Sequence, residues 1–140
     1  MKITILNGPN INLLGIREPE IYGKTTYDDL VRICQSKCNE LGFDCEIFQS
    51  NHEGDIIDKI QECYEERMDG IIINAGGYSH TSIAIMDAIK GVGIPTVCVH
   101  ISDVSAREEF RHTDYVSMAS VKTFSGFGID SYIKAIEFFR

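Results

Sequence analysis

Short apolar runs rich in β-branched residues recur along the chain as KITILN, FDCEIFQ, GIIINA, IPTVCVHI and SVKTF, each bounded by Gly, Pro or polar clusters. Runs of that length, continuous rather than alternating, predict five strands buried on both faces. Between them the apolar positions switch to a helical period. Tyr27 to Leu41 opens with Thr26 and Asp29 in capping-box spacing and is followed by Gly42. A second helix is expected from about Gly54 to Met68, with Ile56, Ile57, Ile60 and Tyr64 on one face. A third is expected from about Thr81 to Lys90, and a last from Asp130 to Phe139. Strands and helices in regular alternation imply a parallel sheet covered on both sides. Five strands favour the α/β flavodoxin-like three-layer sandwich, strand order 2-1-3-4-5, over a longer dinucleotide-binding sheet. With no repeat, linker or low-complexity segment, residues 1–140 read as a single catalytic domain.

Composition narrows the function. A formal charge of -8 argues against a nucleic-acid partner, whose binding needs a concentrated basic surface. The chain starts directly with a strand-like run and has no apolar stretch of membrane-spanning length, so no signal peptide and no membrane partner are expected. Five cysteines, at 34, 38, 45, 63 and 98, contain no CxxC pair and suggest neither a disulfide framework nor a usual zinc site. Reduced thiols fit a cytoplasmic protein. Cys34 and Cys38 share a helix face, but no other Cys or His is placed to complete a metal set.

In open parallel sheets the site lies beyond the carboxyl ends of the strands. There this sequence is lopsided, running into NGPNINLLGIREPEIYG after strand one, NAGGYSHTS after strand three, HISDVSAREEFRH after strand four and SGFG after strand five. Arg17, Arg107 and Arg111, with His80 and His100, would converge on one rim and make an anion pocket in an acidic protein. GFGIDS lacks the third glycine of a dinucleotide fingerprint, and AGGYSHTS lacks the lysine of a phosphate loop. His80, His100 and His112 do not form a metal-binding spacing, so no cofactor and no metal are expected.

NGPNINLLGIREPEIYG, NAGGYSHTSIAIMDAI and HISDVSAREEFRH together resemble the type II 3-dehydroquinate dehydratases, and the likeness spans almost the whole chain. Asn10, Arg17 and Tyr22, set among the same Pro and Gly residues, carry most of its specificity. The resemblance implies a flavodoxin-like subunit, a homo-oligomer in the form of a dodecamer built from trimers, and dehydration of a small-molecule substrate, 3-dehydroquinate, to 3-dehydroshikimate. The product serves aromatic biosynthesis or quinate use. By motif position Tyr22 is the base that takes a proton from C2, with Arg17 beside it. Asn10 holds a water on the enolate oxygen, and His100 protonates the departing C1 hydroxyl. Asn74, His80, Ile101, Ser102 and Arg111 hold substrate, and Asp87 reaches a neighbouring subunit's site.

This chemistry suits the residues. The proton beside a ketone is weakly acidic, so anti elimination through an enolate needs a base and a stabiliser for the developing oxyanion. Tyrosine is ordinarily protonated at neutral pH, so the base role demands a cation such as Arg17 next to the ring. Arg17 and Tyr22 share a segment between Gly15 and Gly23 that contains Pro19, as a loop closing over substrate would.

Two positions depart from the family pattern. Cys98 stands where a glutamate usually precedes the histidine by two residues, and Asp103 stands for a usual asparagine. Residues 98 and 100 of one strand face the same side, so the substitution leaves His100 without that carboxylate, and Cys98→Glu is expected to extend activity toward higher pH. Two other functions stay open, a different cyclic hydroxy-acid lyase and an anion-binding homologue with weakened turnover; retention of Arg17, Tyr22 and His100 speaks against the second.

Overall fold

The computed structural model describes residues 1–140. Five parallel strands, β1 (Lys2–Asn7), β2 (Asp44–Gln49), β3 (Gly70–Asn74), β4 (Thr96–His100) and β5 (Lys122–Ser125), form one sheet in the order β2-β1-β3-β4-β5. This is the flavodoxin-like arrangement expected from the alternation. Residues of alternating parity divide between two cores. Ile3, Ile5, Ile72, Val97 and Val99 pack against α2 (Tyr27–Leu41) and α6 (Asp130–Phe138). Leu6, Ile71, Ile73 and Cys98 pack against α3 (Glu53–Glu65), α4 (Ile83–Val92) and α5 (Tyr115–Met118). Both faces of the sheet are thereby covered, which is why the central strands β3 and β4 are buried throughout.

Helix α2 has the bounds its caps predict: Thr26 Oγ1 accepts from the Asp29 amide, Asp29 accepts in return from the Thr26 amide, and Gly42 closes the end at φ 73°. Two other helices differ from expectation. Helix α3 stops at Glu65 rather than Met68, because Arg67 turns left-handed at φ 57°. Helix α4 begins at Ile83 and runs to Val92, since Ser82 caps it and residues 76–80 form a separate 3-10 turn. The short helix α1 (Pro19–Tyr22) and further 3-10 turns at Ile11–Leu13, Val104–Ala106 and Glu109–Arg111 have too few residues to show a period.

Cys34, Cys38, Cys63 and Cys98 are buried, Cys45 is half-buried, and none is paired. Burial pushes the Cys34 thiol up to about 12, as expected of an inert core residue. No helix is long and apolar enough to cross a membrane.

Candidate active site

The strand ends place four loops at one edge of the sheet. Gly8 lets the first two touch: a Cβ there would lie 2.4 Å from the Ala75 carbonyl oxygen, so only glycine permits the approach. Beneath them, the buried Tyr132 hydroxyl donates to Asn7 Oδ1 at 2.6 Å and accepts from Asn74 Nδ2 at 2.9 Å. Asn74 Oδ1 in turn accepts from the Gly76 amide at 3.1 Å. Asn74 is therefore held in one orientation by α6 and its own loop. A second brace comes from the end of β2, where Asn51 Oδ1 accepts from the Asn10 amide at 3.1 Å and from Gln49 Nε2 at 3.1 Å. Asn10 itself sits left-handed at φ 70°, and its side-chain amide makes no hydrogen bond within the chain.

Between these loops lies a cavity of about 170 Å³. Asn10, Arg17, Tyr22, Asn74, His80 and His100 line it, together with Ile101, Ser102 and Arg111. Nine of the ten residues to which the resemblance gives a role thus line one cavity. The tenth, Asp87, is exposed on α4 and does not line the cavity of its own chain.

The tyrosine has two cations, not one. Arg17 stacks over the Tyr22 ring with its guanidinium carbon 4.6 Å from the ring centroid. Arg107 Nη1 donates to the Tyr22 hydroxyl at 2.6 Å. The sequence placed Arg107 on the rim without giving it a partner, because 85 residues separate it from Tyr22. Its signal was the clustering of arginines beyond β4. Arg111 also lines the cavity, its Nε 2.8 Å from Glu108.

On the other side, His80 and His100 stack with ring centroids 6.0 Å apart. His80 Nδ1 donates to the Thr113 carbonyl at 2.7 Å, which leaves Nε2 for the cavity. The buried His100 points Nε2 at Asp114 Oδ2, 2.7 Å away, with Cys98 Sγ 3.5 Å from the same nitrogen. Burial alone would raise the Asp114 carboxyl, but the hydrogen bond and charge of His100 and the Ser117 amide outweigh it and hold it below the ordinary carboxylate value. The expectation that Cys98 leaves His100 without a carboxylate is corrected here: one arrives from the N-terminus of α5, 14 residues further on. Cys98 and His100 do face the same side, as strand parity requires.

Two carbonyls at the end of β4 are tied back, Ile101 O by the Gly128 amide at 3.0 Å and Ser102 O by Ser125 Oγ at 3.1 Å. The Ile101 and Ser102 amides have no acceptor within the chain, so they are open to an anion. Asp103 accepts from the Ser105 amide at 3.1 Å and from Ser105 Oγ at 2.6 Å, a capping task that asparagine performs as well.

Cys98, His100 and Asp114 also bring three metal-ligand types within 4.8 Å of one another. Tetrahedral ligands ~2.0–2.1 Å from a zinc ion stand about 3.3 Å apart. The 2.7 Å between His100 and Asp114 is instead the length of a charge-assisted hydrogen bond. Glu46, Glu62 and Glu66 form a second acidic group, whose cation is the buried Lys59, in ion pairs with Glu46 and Glu62.

The sequence profile described as Dehydroquinase class II matches residues 1–140. The chain belongs to the class II dehydroquinase family. As a class II dehydroquinase it is a hydro-lyase. A 3-dehydroquinate dehydratase of Caldicellulosiruptor bescii is 57% identical over 135 residues, spanning 96% of this chain and 93% of the relative. One of Lachnospira eligens is 53% identical over 138 residues, spanning 98% and 94%. The crystal structure of the type II dehydroquinase from Butyrivibrio crossotus superposes with a TM-score of 0.97 at 48% identity, over 99% of this chain and 96% of that one. This class II dehydroquinase thus shares its fold with a solved member of the family.

Proposed function

We propose that the protein dehydrates 3-dehydroquinate to 3-dehydroshikimate through an enolate, with Tyr22 as base and His100 as general acid. The observation that carries this assignment is the Tyr22 hydroxyl, hydrogen-bonded to Arg107 at 2.6 Å and overlain by Arg17, in the same small cavity as His100. Two guanidiniums favour the anionic oxygen, and a tyrosinate so placed accepts the C2 proton. As the C2–H bond breaks, its electron pair forms the enolate, whose oxygen is stabilised by a water held on Asn10. When the enolate collapses, the C1–O bond breaks and His100 supplies the proton that makes the leaving hydroxyl water.

Asn74, His80 and Arg111 hold substrate, and the free amides of Ile101 and Ser102 receive its carboxylate. A volume of about 170 Å³ suits a single-ring metabolite, below the ~300–1,000 Å³ of sites for drug-sized ligands. No step calls for a cofactor. Residues 1–140 act as one catalytic domain, and five unpaired thiols favour a cytoplasmic setting.

The decisive experiment replaces Tyr22 with phenylalanine, which removes the oxygen and keeps the ring. Turnover, followed by the enone absorbance of the product, is expected to vanish while substrate binding persists. Activity within about tenfold of the wild type removes Tyr22 as the base.

Assembly forms part of the same proposal. Asp87 and Ile83 are both exposed on α4, outside the cavity of their own chain, and a trimer-based dodecamer would set Asp87 against a neighbour's site. Stable monomers should therefore lose activity; a fully active monomer shows each site to be complete in one chain.

A further inference from the structure

We infer that Asp114 is the positioning residue for His100 in this protein, fixing which ring nitrogen faces the substrate and stabilising the protonated ring by its charge. The inference rests on the proposed role of His100 as general acid. Its basis is geometric. Asp114 precedes α5 and uses its two oxygens separately: Oδ1 accepts from the Ser117 amide at 3.0 Å, while Oδ2 meets His100 Nε2 at 2.7 Å. The Asp114 carbonyl is held as well, accepting from Ser117 Oγ at 3.1 Å. The carboxylate is thus anchored before it touches the ring. His100 is 5% and Asp114 8% exposed, so the pair is poorly screened by solvent.

Orientation follows from donor and acceptor rules. A carboxylate only accepts, so Nε2 carries a proton in both charge states of the imidazole. Nδ1 makes no hydrogen bond within the chain and is the nitrogen left for the cavity. Protonation therefore adds the transferable proton at Nδ1. The other groups around the ring cannot take over this task. Cys98, from the same strand, presents a thiol that burial keeps neutral. His80 stacks on the ring and is spent on Thr113. Arg17, Arg107 and Arg111, cationic across the cavity, oppose a second positive charge, and Tyr22 lies with them. Asp114 is the anion in contact with the ring.

Asp114→Asn isolates the charge, because asparagine caps a helix as well as aspartate does. Its Oδ1 keeps the Ser117 amide and its Nδ2 would donate to Nε2, which disfavours the protonated ring. With the opposite charge removed, the alkaline limb of kcat should move to lower pH while KM changes little. In the unmodified protein, ¹⁵N shifts of the neutral ring should report the Nε2–H tautomer for His100. A folded Asp114→Asn protein with an unshifted alkaline limb overturns the inference, as does an Nδ1–H tautomer in the unmodified protein. His100→Gln separates this from the underlying catalytic assignment: an alkaline limb that survives loss of the imidazole refutes His100 as the acid, whatever the tautomer shows.

Discussion

Arg107 Nη1 stands 2.6 Å from the Tyr22 hydroxyl, joining the turn beyond β4 to the short helix α1 beyond β1. Arg17 lies over the face of the same ring, so the two arginines act differently. Arg17 offers charge to the π face, and Arg107 donates a hydrogen bond to the oxygen that would carry the negative charge.

Arg107→Ala is accordingly expected to reduce kcat by about 10- to 150-fold, the equivalent of losing a hydrogen bond to a charged group worth ~1.5–3 kcal/mol. Arg107→Lys should recover part of the rate. Steady-state kinetics check this; an unchanged kcat in Arg107→Ala would assign the stabilising charge to Arg17 alone.

Cys98→Glu is expected to impair the enzyme, the reverse of what the strand pattern suggested. Cys98 Sγ is 3.9 Å from Asp114 Oδ2, so a glutamate would bring a second carboxylate into a buried space that already holds one. Like charges at that distance raise one another's pKa, and a larger side chain in a filled core costs about 1–3 kcal/mol. Thermal unfolding should fall by several degrees, and the alkaline limb should not extend. A stable variant with an extended limb would show that Asp114 leaves His100 undersupplied.

Asp114 also gives the fold a dependence on acid. Its carboxyl is held below the ordinary value in the folded protein, so the carboxylate form binds more favourably there than in the unfolded chain. The stabilisation is fully present above the unfolded value near ~3.9 and is lost as pH falls through the lower, folded one. Unfolding free energies measured from pH 7 down to 2 should show a smaller decline in Asp114→Asn than in the unmodified protein. Equal declines would mean that other carboxylates govern acid unfolding.

The class of fold was legible in the chain, as was the grouping of most of the candidate residues around one cavity. Local pattern separated five strands from four long helices, since short continuous β-branched runs and a 3.6-residue period are local properties that burial imprints directly on composition. The capping pair Thr26 and Asp29 set one helix boundary to the residue. The loops after β1, β3 and β4 were legible because parallel sheets gather those ends at one edge, and nine of the ten chosen residues met there. Tertiary structure decided which of them touch. Arg107 and Tyr22 are distant in the chain, and nothing in the spacing of either chooses the other. Asp114 was hidden for the same reason: as a helix cap it looks like any aspartate before a short helix, and only the packing of α5 against β4 turns its second oxygen toward His100. A strand periodicity predicts that residues 98 and 100 share a face, yet it says nothing of what arrives on that face from elsewhere. Hydrogen bonds between distant segments depend on where side chains come to rest in three dimensions, and the one-dimensional pattern carries no record of that.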